Sequence, residues 1–202
     1  ALVTVGATII SVLVNSMAGY AFAKLRFRGR DRLFGGLTSA LVIPAQVGML
    51  PLFLLLRQMG FVNTYMGVMI PYFASVFGIF LIRQYTLSVP DELLDAARID
   101  GASELNIFGK IILPNSIPAL ATLAILTFKS QWDNLLWPLL VAQSEEMKTI
   151  PLYIVRFTAE KHTDEGAMMA VAAIASIPIL ILFFRLSRYF ISGAVVYSAR
   201  KG

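Results

Sequence analysis

The stretch 91–114, DELLDAARIDGASELNIFGKIILP, decides how the rest of the chain is read. It is polar and helix-competent, yet it lies inside a sequence otherwise arranged in long apolar blocks. Locally it reads as two short helices. Ser88, Pro90 and Asp91 have the pattern of a helix start, with Ser88 as the cap and Pro90 in the first turn. Asp91 and Glu92 suit the positive end of the helix dipole. Leu93, Leu94 and Ala97 give a narrow apolar face, and Ala96 and Ala97 keep the helix smooth. Gly101 breaks the run and is free to take a positive φ. Ser103 then caps a second helix reaching Leu113, with Leu105, Phe108, Ile111 and Ile112 on one side, before Pro114 and Pro118 end it. Two readings of this elbow stay open: a lever seated in the groove of a water-soluble partner, or an interfacial elbow packed only on its own bundle.

Outward from the elbow the sequence is membrane-like. Hydrophobic residues make up 57% of the 202 residues and charged ones 14%, against about 25% charged in soluble domains, and the mean hydropathy is +0.74. A helix needs about 20 apolar residues to cross a bilayer, and five stretches qualify: 1–23, 33–56, 63–82, 117–141 and 167–190. Cationic residues alternate between the connections. Segments 24–32, 83–116 and the C-terminal end hold twelve Lys and Arg, and the two alternate segments hold four. By the positive-inside rule the elbow and the C-terminus are cytoplasmic. The same placement beside apolar blocks argues against nucleic-acid binding. The chain begins at Ala1 inside an apolar block, so the expectation is that upstream sequence, including a first helix, is missing.

Several residue types stand out within the spans. Pro44, Pro51, Pro71, Pro138 and Pro178 read either as kinks around a path that opens or as the ordinary proline content of membrane helices. The small pairs Gly19/Ala23, Ala74/Gly78 and Ala172/Ser176 permit close helix approach, within the chain or at a subunit interface. Lys129 and Asp133 are four apart in the fourth span and can pair on one face, which largely cancels the cost of burying them. That reads as a structural ion pair locking helix packing. Asn134 and Trp137 are candidates for a solute path, since an amide offers donor and acceptor and an aromatic ring stacks on a sugar's C–H face. Gln46 is a weaker candidate of the same kind. His162 reads as a solvated loop residue. Met49, Met59, Met66, Met69, Met168 and Met169 read as core filler. Residues 148–158 are too short to cross and read as an interfacial helix on the outer side.

The elbow residues also carry a resemblance. In the integral membrane subunits of binding-protein-dependent ABC importers a cytoplasmic loop reads E-A-A, three residues, G, nine residues, I-x-L-P. This chain has Asp95-Ala96-Ala97, then Gly101, then Ile111-Ile112-Leu113-Pro114 at the same spacing. Asp95 in place of Glu keeps the charge and shortens the reach. RFRGRD (26–31), residues 43–85, WDNLLWPLLV (132–141) and KTIPLYIVRF (148–157) are similar to carbohydrate-importer permeases. The ending RYFISGAVVYSARKG resembles the maltose-type second permease subunit. Family members often carry Trp where this chain has Glu165.

The resemblance implies a single all-α transmembrane permease domain over 1–202, a polytopic bundle with five spans present of an expected six. Residues 86–118 would form a cytoplasmic coupling loop. Asp95, Ala96, Ala97, Gly101, Ile111, Leu113 and Pro114 would be the ATPase-coupling residues. It further implies a second homologous permease subunit, two ATPase subunits that bind ATP and Mg, and an extracytoplasmic solute-binding protein, in a bacterial or archaeal cytoplasmic membrane. The chain itself would bind no cofactor or metal and carry no catalytic residue. It has no cysteine, one histidine and no GxxxxGK[ST] loop, which leaves no multi-His or thiolate metal site and no phosphate-binding loop of that type. A passive channel would need a selectivity filter or charged ring, and neither a TVGYG-type segment nor a carboxylate ring is found. A proton-coupled carrier is compatible with Lys129 and Asp133, but would not need the elbow.

Overall fold

The computed structural model describes residues 1–159 and 165–199, and the readings made for Glu160, Lys161, His162, Asp164, Arg200 and Lys201 fall outside them. Every regular element among the described residues is helical. In order they are α1 (Leu2–Lys24), α2 (Arg30–Ser39), α3 (Ala45–Gln58), α4 (Tyr65–Met69) and α5 (Val76–Leu87). The elbow follows as α6 (Asp91–Ile99), α7 (Glu104–Ile107), a π turn over Phe108–Ile112, and α8 (Leu113–Asn115). The chain continues with α9 (Ile117–Trp132), α10 (Leu136–Val141), α11 (Ile150–Ala159) and α12 (Glu165–Ala199).

The helix α1 is built inside out relative to a soluble helix. Its buried stripe is small or polar: Thr4, Ala7, Thr8, Ser11, Asn15, Ser16, Gly19 and Ala23. Leu2, Val5, Ile9, Leu13 and Met17 point outward. In lipid an outward leucine costs nothing, and small inward residues let backbones close up. The helix packs on α5 and α9, where Ile82, Ala119 and Leu123 form a buried cluster. A Cβ on Gly19 would stand 2.8 Å from Ile82 Cβ, and one on Gly78 would stand 2.9 Å from Asn15 Cγ and Leu123 Cδ1. Those two small-residue sites therefore serve internal packing. Ala172 and Ser176 lie on an open face of α12 instead. That long helix runs along α9 and carries α11, the expected short helix.

The five expected spans are not five straight rods. Two helices are long and apolar enough to cross a membrane, Leu2–Lys24 and Glu165–Ser187, and three bent pairs bring the number to five if each counts as one span. The stretch expected as 33–56 bends by 106° between Val42 and Ala45. Pro44 has no N–H to give the carbonyl of Ala40, and Ile43 before it is extended. The stretch expected as 63–82 bends by 45° after Tyr72 and continues to Leu87. The stretch expected as 117–141 is a correction: its helix stops at Trp132 and restarts at Leu136. Pro138 has no N–H for the carbonyl of Asn134, and within the break Asn134 Oδ1 accepts the N–H of Trp137 at 3.0 Å. Among the methionines, Met49 does pack in a core cluster. Met59, Met66 and Met169 are exposed, so core filler is wrong for those three.

Candidate functional site

The elbow forms as its residues dictate, with one change at its start. The cap of α6 is Pro90, and Ser88 instead closes α5, its hydroxyl donating to the Tyr85 carbonyl at 2.7 Å. Pro90 is extended, which leaves Asp91 and Glu92 in the first turn as expected. Gly101 has φ +80° with nothing within 4 Å of a would-be Cβ. Ser103 Oγ then accepts the N–H of Asn106 at 3.4 Å. Pro114 cannot donate to the carbonyl of Lys110, and the backbone widens into the π turn just there. The second limb meets α9 at a bend of 81°.

The elbow's inner face is bolted to the end of α1. Leu94, Ile107, Phe108 and Ile112 are buried with Tyr20 and Val89, and Ala97, Ile111 and Leu113 pack against them. Ile107 takes the inward place that Leu105 was expected to hold, and Leu105 is 71% exposed. Three polar ties reinforce the seat. Tyr20 Oη donates to Glu104 Oε2. Lys24 Nζ donates to the Val89 carbonyl and to Asp91 Oδ1, each at 2.6 Å. Arg98 bridges Glu104 Oε1 at 2.9 Å and Asp95 Oδ1 at 2.8 Å. The hydrogen bond and charge of Lys24 hold the Asp91 carboxyl below its ordinary range. Arg98, then Tyr20, do the same for Glu104 by hydrogen bonding, and hydrogen bonds to Glu104 first and Asp95 next raise the Arg98 guanidinium in turn.

The outer face is left open. Leu93, Ala96, Pro114 and Leu105 are exposed, and Ile99 is 86% exposed beside Gly101. The coupling residues read from sequence therefore divide. Ala96, Gly101 and Pro114 face outward. Ala97, Ile111 and Leu113 face the elbow's own core, and Asp95 is tied to Arg98 within the elbow. Tyr20, Lys24 and Glu104 were not singled out from sequence, because nothing local links residues 20 and 104.

A second feature lies within the spans. Gln46, Tyr72, Ser130, Asn134 and Trp137 line one cavity of about 430 Å³, so the three solute-path candidates are brought together. Asn134 Nδ2 donates to Tyr72 Oη. Trp137 is 3% exposed and its indole N–H donates to the Gly67 carbonyl at 3.1 Å, so it walls the cavity and offers little open ring for stacking. Lys129 and Asp133 do pair, at 3.0 Å, but on an uncovered face of α9. The pair therefore locks no packing within this chain, contrary to the expectation.

Bent and broken helices around a small-residue core, with a two-limbed elbow between spans, define an integral membrane transport subunit. The chain belongs to the family described as binding-protein-dependent transport system inner membrane component, whose model matches residues 15–194. It is 42% identical over 188 residues to the arabinooligosaccharides transport system permease protein AraQ of Halalkalibacterium halodurans, covering 93% of this chain and 67% of that one. It is 37% identical to the lactose transport system permease protein LacG of Rhizobium radiobacter, covering 92% and 68%. Among solved structures it matches a bacterial ABC transporter involved in the import of the acidic polysaccharide alginate, with TM-score 0.77 and 29% identity, covering 93% of this chain and 73% of that one. The chain thus spans about two thirds of the length of these curated relatives.

Proposed function

We propose that this chain is the transmembrane permease subunit of an ATP-driven importer for a sugar or sugar-like solute, with the elbow as the part an ATPase subunit grips. The observation that carries the coupling reading is the two-sidedness of the elbow. One face is bolted to α1, and the other presents Leu93, Ala96 and Ile99 around a left-handed glycine. A helix with such a free apolar face is suited to seating in a partner's groove. Because its inner face is fixed to α1 and its second limb runs into α9, a displacement of the groove moves both. The ATPases would bind ATP and Mg and perform the hydrolysis. A second, homologous permease would complete the path, and a solute-binding protein would deliver solute on the side opposite the elbow. The charge distribution supports an elbow and a C-terminus on the cytoplasmic side. Gln46 and Asn134 would line the solute path, with Trp137 as its wall.

The test is assembly of the full importer with Gly101→Asp and Gly101→Asn. Leaving glycine at φ +80° costs an L residue roughly 1–2 kcal/mol, and less for Asn or Asp, while the open space around Gly101 means no clash within the chain. Both variants should therefore fold. Gly101→Asp should lose co-purification with the ATPase or its solute-stimulated turnover, because a charge enters the groove. Full stimulated turnover in Gly101→Asp would refute the docking role.

A further inference from the structure

We infer that the basic turn joining α1 to α2 is a docking site for the headgroup of an anionic phospholipid. Residues 24–32 carry five cationic side chains and one acid. Lys24, where the turn begins, is tied to Asp91 of the elbow at 2.6 Å, so turn and elbow lie on one side of the membrane. Gly29 has φ +85° with nothing within 4 Å of a would-be Cβ. From there α2 returns along α1, with the Phe22 and Phe34 rings 5.5 Å apart. The bend leaves an open hollow of about 1040 Å³ lined by residues 26–32.

The charges of the turn divide into engaged and unengaged. Lys24 has Asp91, while Arg30 has Asp31 at 3.0 Å and donates to the Leu25 carbonyl at 3.4 Å. Nearby Arg83 donates to the Phe22 carbonyl and covers the Phe34 ring at 4.0 Å. Arg26, Arg28 and Arg32 are exposed and make no hydrogen bond or ion pair among the described residues. Arg26 acts on Asp91 only through space. On a soluble protein three such side chains would simply be solvated. Here they stand between two stretches apolar enough to cross a membrane, the second of them a bent pair. Phe27 and Leu33 are exposed among the charges. That mixture matches the boundary between headgroups and acyl chains, where apolar atoms sink and cationic tips stay with the phosphates. A guanidinium fork pairs with two phosphate oxygens at once. A zwitterionic headgroup offers the same phosphate but adds its own cation, so the preferred lipid carries net negative charge. Near an anionic membrane surface each basic side chain is worth roughly fivefold in affinity.

The test uses the full-length subunit, assembled with its partner subunits in lipid nanodiscs. The 202 residues hold no cysteine, so Leu33→Cys, labelled with bimane before assembly, puts one reporter beside the turn. Quenching by brominated phosphatidylglycerol is compared with quenching by brominated phosphatidylcholine at equal mole fraction. With the three arginines in place, phosphatidylglycerol should be preferred about fivefold or more, and in R26Q/R28Q/R32Q the preference should fall below about twofold. R26K/R28K/R32K should keep most of it, which separates charge from a folding defect. Should the glutamine variant fail to assemble, Arg28→Gln alone carries the comparison. Equal quenching by the two lipids, or a preference unchanged by glutamine, would overturn the site. A label that neither lipid quenches would overturn it too, because a partner subunit would then cover the turn. Inorganic phosphate, added against chloride at matched ionic strength, should leave the preference intact; its loss would assign the arginines to a free anion instead of a lipid. No arm of the test involves ATP turnover, so failure of the importer reading would show separately, as lost coupling with the lipid preference unchanged.

Discussion

Replacing Tyr20 by Phe removes one oxygen and keeps the ring, and so isolates the tie between α1 and the elbow. Tyr20 is 4% exposed, and its ring packs on Phe108 with centroids 5.8 Å apart. That packing survives the substitution. What is lost is the donation to Glu104, a hydrogen bond to a charged group, worth about 1.5–3 kcal/mol in general. The side chains of Glu104 and Arg98 are 46% and 35% exposed, so water and Arg98 take up the freed carboxylate and the lower end applies, about 1–1.5 kcal/mol. For a chain of this size that is a fall in Tm of roughly 2–6 °C. Transport should suffer more than stability. If displacement of the elbow reaches α1 through this bond, the assembled importer with Tyr20→Phe should hydrolyse more ATP per solute delivered while still binding its ATPases. The assay is paired hydrolysis and uptake in proteoliposomes, with a double-mutant cycle against Glu104→Gln. Additivity of the two variants within about 0.5 kcal/mol, together with an unchanged ATP-to-solute ratio, would refute the tie as a transmission element.

Two further outcomes follow from the same geometry. Gly19→Ala places a Cβ 2.8 Å from Ile82 Cβ and 3.0 Å from the Arg83 backbone nitrogen, an overpacking worth about 1–3 kcal/mol of stability; the Tm should fall accordingly, and an unchanged Tm would mean that the close approach carries no cost. The elbow seat should be insensitive to pH near neutrality, because the carboxyls of Asp91 and Glu104 are both depressed in the folded chain. Depressed carboxyls contribute stability that is complete above their unfolded values, about 3.9 and 4.3, and that is lost as pH falls through the folded ones. Protease protection of residues 91–114 should thus hold from about pH 8 to about pH 5, and a loss within that window would contradict the ion-pair account.

The elbow was the most legible part of the chain because its signals are local. A proline, two acids, an isolated glycine and a serine three residues before an amide each act on their own few neighbours. The error at Ser88 is instructive in the same terms. Pro90 already fixes the chain's direction, so the serine is free to close the preceding helix. The breaks at Pro44 and after Trp132 were only half legible. Proline announces a missing donor, but whether a helix kinks or stops depends on who satisfies the freed carbonyl. After Trp132 the helix stops, and the Asn134 side chain takes up the N–H of Trp137 where the helix restarts, so a residue read as a solute contact also supports the break.

What sequence reading could not reach is long-range pairing along α1. Asn15 is fully buried, donates to Ser11 and accepts the N–H of Ser75 at 2.8 Å, where the chain enters α5 after its bend. Arg83 donates to the Phe22 carbonyl at 3.2 Å and lies over the Phe34 ring. Tyr20 and Lys24 hold the elbow. One helix thus meets, through polar side chains and one backbone carbonyl, the bend in the third span, the end of α5 and the seat of the elbow. In water its polar stripe would be read as the solvent face. In lipid the sign reverses, because polar side chains must find partners within the protein. A helix that reads as the plainest membrane anchor in the sequence is therefore the strut to which the elbow and the bent third span are fastened. Substitutions on its polar stripe should disturb coupling more than those on its leucine face.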